Sequence, residues 1–244
     1  VDLPAGKSAK VEIPVENPAA GTVAILVKED GSEEIIKTSV AGESGVFVTL
    51  QDGDKVKIVD NSKDYADVSD SYWGTEAVDF VSSREMMNGV GNDSFAPDSN
   101  LTRGMIAQVL YNLEDAPEAG SDVFGDVEAG QWYADAVNWA AANDIVSGYD
   151  DSTFGPQNDI TREQMAQILY NYAVFKGYDV SAQGDLSAFS DGTATSDWAL
   201  PAMKWAVGSG LLQGYAGRLN PDGTATRVEV AQIFMNFCEN IVMK

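Results

Sequence analysis

The chain has 244 residues and a formal net charge of −23, and it contains no histidine and a single cysteine. This excess of acid argues against nucleic acid or an anionic membrane as the main partner, because both would repel the chain. The lack of histidine excludes His-dependent catalytic triads and His-ligated zinc. Cys238 cannot form an internal disulfide, and its place in an apolar helical pattern favours a buried thiol over a reactive one.

Two further features of the sequence bear on where the protein resides. No apolar run reaches the roughly 18 residues that a membrane-spanning helix needs, so we expect no membrane insertion. The sequence begins at Val1 without a signal peptide. We therefore interpret it as a segment of a longer protein.

Residues 1–63 contain five short runs in which apolar and polar residues alternate. The apolar positions of these runs lie within residues 11–15, 23–27, 35–36, 46–50 and 56–58. Turn-forming pairs such as Asn17-Pro18, Asp30-Gly31 and Asp52-Gly53 separate them. The pattern predicts a small antiparallel β-domain of five strands, arranged as a sandwich or as a partial barrel.

The remainder of the chain repeats itself three times. The same landmarks recur 59 residues apart between the first two copies and 65 or 66 residues apart between the second and third. They are Asp67, Asp126 and Asp191; Trp73, Trp132 and Trp198; Gly89, Gly148 and Gly214; Pro97, Pro156 and Pro221; and Arg103, Arg162 and Arg227. We therefore predict four domains: the β-domain at 1–63 and three repeats at 64–120, 121–183 and 184–244.

Each repeat is predicted to contain two helices. In the first helix an apolar stripe begins with the tryptophan, as in Trp132, Ala136 and Trp139. The recurring glycine is predicted to end this helix in the left-handed C′ position. The threonine before each arginine is predicted to cap the second helix, with Gln164 and Glu229 completing capping boxes in the second and third repeats. The predicted fold class is α+β, with a small antiparallel β-domain followed by a mainly α-helical module.

The arginine after each cap lies where the helix dipole disfavours a cation, and two explanations remain open. Its guanidinium and exposed amides of the helix start could together bind a carboxylate or phosphate. Alternatively, it could form a salt bridge between repeats, and the candidate partners are Asp67, Asp126 and Asp191.

The recurring tryptophans also have two interpretations. An indole that heads an apolar stripe can belong to the core, or it can be a half-exposed platform for a sugar ring. Tyr149 and Tyr215 follow the recurring glycine in two repeats, where the first repeat has Val90. They are interpreted either as surface loop residues or as rings beside a closely approaching backbone.

Nothing in the sequence supports catalysis. Carboxylates are scattered throughout, and the chain has no P-loop, no dinucleotide fingerprint and no nucleophile elbow. We therefore predict no catalytic residue, no metal ligand and no cofactor.

The landmarks together resemble the S-layer homology (SLH) domain. The closing signature is Leu101-Thr102-Arg103 in the first repeat, and the equivalent segments start at Ile160 and Ala225. The resemblance covers about residues 65–244 and leaves out the β-domain. It implies a pseudo-threefold helical module that holds an exported bacterial protein non-covalently at the cell wall, outside the cell.

The resemblance also implies a ligand and a set of residues that bind it. The ligand is an anionic secondary cell-wall polysaccharide attached to peptidoglycan, often pyruvylated, which binds in grooves between neighbouring repeats. The implied ligand-binding residues are Arg103, Arg162, Arg227, Trp73, Trp132, Trp198, Asp67, Asp126, Asp191, Gly89, Gly148, Gly214, Tyr149 and Tyr215.

Departures from the family pattern and two rival functions accompany this interpretation. Gly104 and Met105 replace the family's small-then-acidic pair, so we expect the groove that uses Arg103 to bind most weakly. A module for self-assembly with neighbouring subunits of a surface layer is the alternative function. An enzyme is the third, and any activity would belong to residues upstream of this segment.

Overall fold

A computed structural model describes Pro4 and residues 6–244, and this part of the chain contains six strands and six α-helices. The strands are β1 (Ser8–Pro14), β2 (Thr22–Val27), β3 (Glu33–Ile35), β4 (Val40–Ala41), β5 (Gly45–Gln51) and β6 (Lys55–Asp60). The helices are α1 (Thr75–Ser83), α2 (Arg103–Leu113), α3 (Ala134–Ala142), α4 (Arg162–Phe175), α5 (Leu200–Gly208) and α6 (Arg227–Phe237). The α+β class is confirmed. Among the described helices, none combines the length and apolarity needed to span a membrane.

The chain forms two compact units. One contains the residues up to Pro97 together with Phe234–Lys244, and the other is Asp98–Ile233. The first unit therefore contains all six strands and α1, while the second contains α2 to α5 and most of α6.

The strands of the first unit form two three-stranded antiparallel sheets, with the orders β1-β5-β4 and β3-β2-β6. Ala24 of one sheet and Val46, Val48 and Leu50 of the other form a single buried core. Two sheets that share a core make a sandwich rather than a partial barrel. Each of the five predicted runs overlaps a strand, although Val15 and Ile36 lie just outside β1 and β3. Strand β4 was missed, because two residues are too few to show an alternating pattern.

A buried arginine joins the sandwich to α1 within the first unit. Arg84 follows the helix directly, and its guanidinium donates to the backbone oxygens of Ser39 at 2.8 Å, Ala20 at 2.7 Å and Thr22 at 3.0 Å. It also lies 3.7 Å over the ring of Phe80. Burial lowers the pKa of Arg84 to about 10, so the side chain remains charged at neutral pH. The first helix of the repeats and the β-sandwich are thus tied together by hydrogen bonds from one cation.

Cys238 lies in the same unit, in a π-helical turn spanning Cys238–Val242. The thiol is fully buried, and burial raises its pKa to about 12, although the charge of Arg84 opposes this shift. The prediction of a buried thiol is confirmed. Because the thiolate is the nucleophilic form, the side chain is unreactive at neutral pH.

In the second unit, the second helix of one repeat packs against the first helix of the next. Helix α2 packs on α3, and α4 packs on α5. The inward face of α3 is formed by Ala136 and Trp139, and the same positions in α5 are Ala202 and Trp205, all of them buried. The predicted apolar stripes are therefore correct for their second and third residues in α3 and α5.

Three equivalent residues, one from each repeat, are joined by a closed ring of backbone hydrogen bonds. The N–H of Leu101 donates to Ala225 at 2.9 Å, that of Ala225 to Ile160 at 3.2 Å, and that of Ile160 to Leu101 at 2.9 Å. All three residues are completely buried. Each immediately precedes the threonine cap of a second helix, so the ring fixes the three helix starts relative to one another.

The prediction that the recurring glycines end the first helices is wrong. Helices α1, α3 and α5 end six residues before Gly89, Gly148 and Gly214. The left-handed residue after each helix is instead Glu85, Asp144 or Gly210, with φ of 56°, 57° and 76°. The error arose because an apolar pair beyond each helix continues the apolar pattern, although it lies outside the helix; these pairs are Met86-Met87, Ile145-Val146 and Leu211-Leu212.

The recurring glycines are needed because other atoms lie too close for a side chain. A Cβ on Gly148 would lie 2.5 Å from the oxygen of Asp150, 2.6 Å from that of Thr153 and 2.6 Å from the ring of Phe124. Gly89 and Gly214 face equivalent contacts, with the rings of Tyr65 and Phe189 at 2.7 Å. These three aromatic residues recur with the same spacing as the other landmarks, and that spacing could have revealed them.

Substituting Gly148 with alanine should destabilise the protein by about 1–3 kcal/mol, because two backbone oxygens and a packed ring would have to move. Gly125→Ala is the matched control, since the added Cβ would meet only the oxygen of Ser152 at 3.6 Å. We expect the control to change stability by less than about 0.5 kcal/mol. Urea unfolding followed by tryptophan fluorescence measures both variants. Equal stability of the two would contradict the steric explanation.

Candidate functional site

The three recurring tryptophans are exposed. Their exposed fractions are 60% for Trp73, 54% for Trp132 and 53% for Trp198. Trp73 and Trp132 lie two residues before α1 and α3, and Trp198 lies in the 3-10 turn Asp197–Ala199 that precedes α5. The indoles are therefore not part of the helical stripes, and the core interpretation is wrong for all three. An exposed platform is the interpretation that remains.

The arginine of the first repeat is buried against the loop of the second. Arg103 donates from Nε to the oxygen of Phe154 at 2.8 Å and from Nη2 to that of Ser147 at 2.6 Å. Its guanidinium lies 4.6 Å from the ring centre of Tyr149 and 4.5 Å from that of Phe154. Burial lowers the pKa of Arg103, while nearby Tyr149 and Asp126 oppose this shift. Arg103 thus fixes both ends of the loop in the next repeat.

The arginine of the second repeat makes the equivalent contact with the third. Arg162 donates from Nε to the oxygen of Leu219 at 2.8 Å, and its Nη1 lies 3.2 Å from Oε1 of Glu229. The third arginine, Arg227, is also buried. An inter-repeat salt bridge therefore exists, but Arg162 forms it with the glutamate of the next second helix rather than with an aspartate.

The amides at these helix starts are occupied. The N–H groups of Arg103 and Gly104 donate to the oxygens of Asn158 and Pro156, both at 2.9 Å. Those of Arg162 and Glu163 donate in the same way to Gly223 and Pro221, both at 2.9 Å. Carbonyl oxygens of the following repeat thus satisfy the positive ends of α2 and α4. The expectation that exposed amides there bind an anion is wrong for these two helices.

Each recurring aspartate holds the loop of its own repeat. Asp126 accepts from the N–H groups of Phe154 at 2.8 Å and Gly155 at 2.7 Å. The other two repeats have the same arrangement, in which Asp67 accepts from Phe95 and Ala96 and Asp191 accepts from Leu219 and Asn220, at 2.7–2.9 Å. The loop between the two helices of a repeat is therefore clasped at its carboxyl end by a residue about 28 positions upstream.

These clasps should make stability depend on acid pH. Hydrogen bonds from the backbone amides of Leu219 and Asn220 lower the pKa of Asp191. Burial alone would raise the pKa of Asp67, but the hydrogen bonds that it accepts from Ser94, Phe95 and Ala96 outweigh burial and lower its pKa as well. A carboxylate with a lowered folded-state pKa stabilises the fold above its unfolded-state pKa of about 4, and this contribution is lost as the pH falls.

Thermal unfolding of the wild type between pH 6 and pH 3 should therefore show a steep loss of midpoint below about pH 4. Asp191→Asn should be less stable at pH 6 and should lose less on acidification, because one of the titrating clasps is gone. An acid dependence as steep in the variant as in the wild type would contradict a stabilising role for this carboxylate.

A buried glutamate, which the sequence did not reveal, supports one of the tryptophans. Glu163 of the second repeat accepts from the backbone N–H of Ser196 at 3.0 Å and from its hydroxyl at 2.8 Å. Ser196 precedes Trp198 by two residues, so Glu163 fixes the turn that carries this indole. The sequence does contain one sign that Glu163 differs: it is an acidic residue at a position where the other repeats have Gly104 and Val228.

The threonine caps agree closely with the prediction. Thr161 and Gln164 form a full capping box, and Thr102 accepts from the N–H of Met105 at 3.3 Å. In the third repeat, Glu229 accepts from the N–H of Thr226 at 2.8 Å, which is one half of the predicted box. All three second helices therefore start at the arginine.

The second-repeat loop presents Tyr149 with half its surface exposed, and the third presents Tyr215 with 88% exposed. The exposed aromatic residues at the predicted positions are thus three indoles, on turns that precede the first helices, and two phenols, on loops that arginines and aspartates hold in place.

The sequence profile of the S-layer homology domain matches residues 64–104, 123–166 and 188–231, slightly more than half of the chain. The chain therefore belongs to the S-layer homology domain family, whose members are non-catalytic anchoring domains. It is a three-repeat cell-wall anchor of a bacterial surface protein, and it acts outside the cell, at the wall.

Named relatives agree with this assignment. The chain is 29% identical over 175 residues to the surface-layer 125 kDa protein of Lysinibacillus sphaericus, covering 70% of this chain and 14% of that protein. It is 29% identical over 194 residues to the cellulosome-anchoring protein of Acetivibrio thermocellus, covering 75% and 40%. Exoglucanase XynX of the same species is 30% identical over 199 residues, covering 80% and 18%. The chain thus spans less than half the length of each of these relatives.

Proposed function

We propose that the chain anchors its parent protein by binding an anionic, pyruvylated secondary cell-wall polysaccharide in grooves between neighbouring repeats. The observation that carries this proposal is the exposure of Trp73, Trp132 and Trp198 at equivalent positions. Three indoles left in water at one position of a threefold repeat are costly unless a ligand covers them. Flat aromatic surfaces flanked by polar loops suit the faces of sugar rings.

The other predicted site residues divide into two groups in this proposal. Tyr149 and Tyr215 join the tryptophans as residues that touch the glycan. Arg103 and Arg162 use their Nε donors on the neighbouring loop, so we assign them to holding the groove and to supplying positive charge beneath it. We assign the same role to Arg227, which is also buried. The recurring aspartates and glycines shape the loops; they are Asp67, Asp126, Asp191, Gly89, Gly148 and Gly214.

We further propose a pseudo-threefold arrangement of the repeats, with domain boundaries at 63, 120 and 183. The ring of hydrogen bonds through Leu101, Ile160 and Ala225 supports a common axis. The hydrogen bonds of Arg84 support a β-domain that is fixed to the first repeat instead of being a loose spacer.

Binding to purified cell-wall sacculi tests the proposed function. We expect the chain to sediment with intact sacculi and to stay in solution once mild acid has removed the polysaccharide. Undiminished binding to stripped sacculi would contradict glycan anchoring. Concentration-dependent assembly in the absence of wall material, measured by analytical ultracentrifugation, would favour the surface-layer self-assembly alternative.

A further inference from the structure

The loop of the third repeat carries an exposed arginine. The chain has five arginines, all within the described residues, and four of them are largely buried: Arg84, Arg103, Arg162 and Arg227. The side chain of Arg218 is 64% exposed. In a chain with a net charge of −23, an accessible guanidinium beside the proposed site is a group that would attract an anion.

The backbone holds Arg218 in a defined position. Its N–H donates to the oxygen of Tyr215 at 3.0 Å, and its oxygen accepts from the N–H of Tyr215 at 2.8 Å. The side chain reaches Asp191 only through Nε, at 3.4 Å. The two oxygens of Asp191 already accept from the backbone amides of Leu219 and Asn220 at 2.8 and 2.9 Å. A tight hairpin therefore presents the guanidinium, and its one ionic contact with the described residues is long.

The three loops differ in charge at this place. The first has Asn92 and Asp93, and the second has Asp150 and Asp151. The third is shorter and has Ala216 and Gly217 before Arg218, so the acids are absent and a cation is present. An anionic group meets repulsion at the first two loops and attraction at the third.

Arg218 also lies beside the contact between the second and third repeats. The next residue, Leu219, accepts from Nε of Arg162 at 2.8 Å. Tyr215, the hairpin partner of Arg218, is the most exposed of the large apolar side chains described. A guanidinium and a phenol on one hairpin can hold a carboxylate and the sugar that bears it.

We propose that Arg218 recognises a carboxylate of the ligand and makes the loop of the third repeat selective for an anionic sugar. This inference rests on the proposed function, because it names the residue that reads the charge of the glycan. It assigns direct anion binding to a residue outside the recurring Thr-Arg signature.

The test compares one polysaccharide in two forms. Polysaccharide released from sacculi is used native and after carbodiimide–borohydride reduction, which converts carboxylates to alcohols. We expect Arg218→Gln to weaken binding of the native polymer by about tenfold and binding of the reduced polymer not at all. Arg218→Lys should lose less affinity than Arg218→Gln, because lysine keeps the positive charge and lacks only the planar geometry of the guanidinium. Isothermal titration calorimetry measures each affinity.

Lys204→Gln is the matched control, because it removes one exposed positive charge from the same repeat. We expect its affinity to equal that of the wild type, and thermal unfolding should show that every variant is folded. Unchanged binding by Arg218→Gln, or an equal loss on native and reduced polymer, overturns the role of Arg218 while anchoring stands. Failure of the wild type to bind the native polymer overturns both proposals.

Discussion

Replacing Arg84 with alanine should lower the free energy of unfolding by at least about 3 kcal/mol. The side chain is completely buried and donates to the oxygens of Ala20, Thr22 and Ser39 in the β-sandwich. Each buried acceptor left without a partner costs about 1–3 kcal/mol. The variant would also lose the contact between the guanidinium and the ring of Phe80.

One effect opposes this loss. Burial lowers the pKa of Arg84 to about 10, because removal from water disfavours the charged form. Truncation recovers that cost. The free-energy cost of leaving three carbonyl oxygens unpaired and of opening an arginine-sized cavity should exceed this gain. We therefore expect a net loss of stability.

Urea unfolding, with far-UV circular dichroism to follow strands and helices together, measures the effect. Arg84→Lys should be intermediate, because an ammonium cannot reach three separated oxygens at once. Arg218→Met is the control, since it removes the same group from an exposed site and should change stability by less than about 0.5 kcal/mol. If Arg84→Ala lowered the free energy of unfolding by no more than Arg218→Met does, Arg84 would not be what holds the sandwich to α1.

The second large effect concerns binding. The double variant Trp132→Ala/Trp198→Ala should bind sacculi about 100-fold more weakly than the wild type, and each single variant about 10- to 30-fold. Both indoles are more than half exposed, so their removal leaves the helical core intact. The same substitutions should therefore leave the thermal midpoint nearly unchanged.

A matched control removes exposed apolar surface elsewhere. Val174 is 53% exposed near the end of α4, and Val174→Ala should bind sacculi as well as the wild type. Retention of full binding by the double tryptophan variant would contradict the platform role. A fall in stability that parallels the fall in binding would place the indoles in the fold rather than in the site.

Periodic features of the sequence predicted most of the fold. The spacing of Trp139 and Ala136 located α3, and Thr161 with Gln164 located the start of α4, because caps and apolar stripes are local signals. The ends of the first helices were misplaced, since Ile145 and Val146 extend the apolar pattern beyond a left-handed residue at Asp144. Burial outside a helix produces the same pattern as burial within it.

The sequence indicated which residues belong to the candidate site, but it did not indicate the role of most of them. The exposure of Trp132 could not be inferred, because a helical spacing to Ala136 does not reveal that the helix begins two residues later. The partners of Arg103 are backbone oxygens of another repeat, and backbone atoms leave no trace in residue identity. Glu163 and Arg218 each occur in a single repeat, so the recurrence of landmarks could not indicate either residue.

The ring of hydrogen bonds through Leu101, Ile160 and Ala225 limits how many repeats the module can hold. In an open stack of repeats, each end offers unpaired groups to a further copy, and the array can grow. Here every N–H and every oxygen of the ring is already matched, so a fourth copy would find nothing to pair with. We expect that a repeat appended to the chain would add no hydrogen bond to the ring, and that loss of one repeat would leave unpaired backbone groups in the other two. We therefore expect the ring to melt in a single step rather than one repeat at a time.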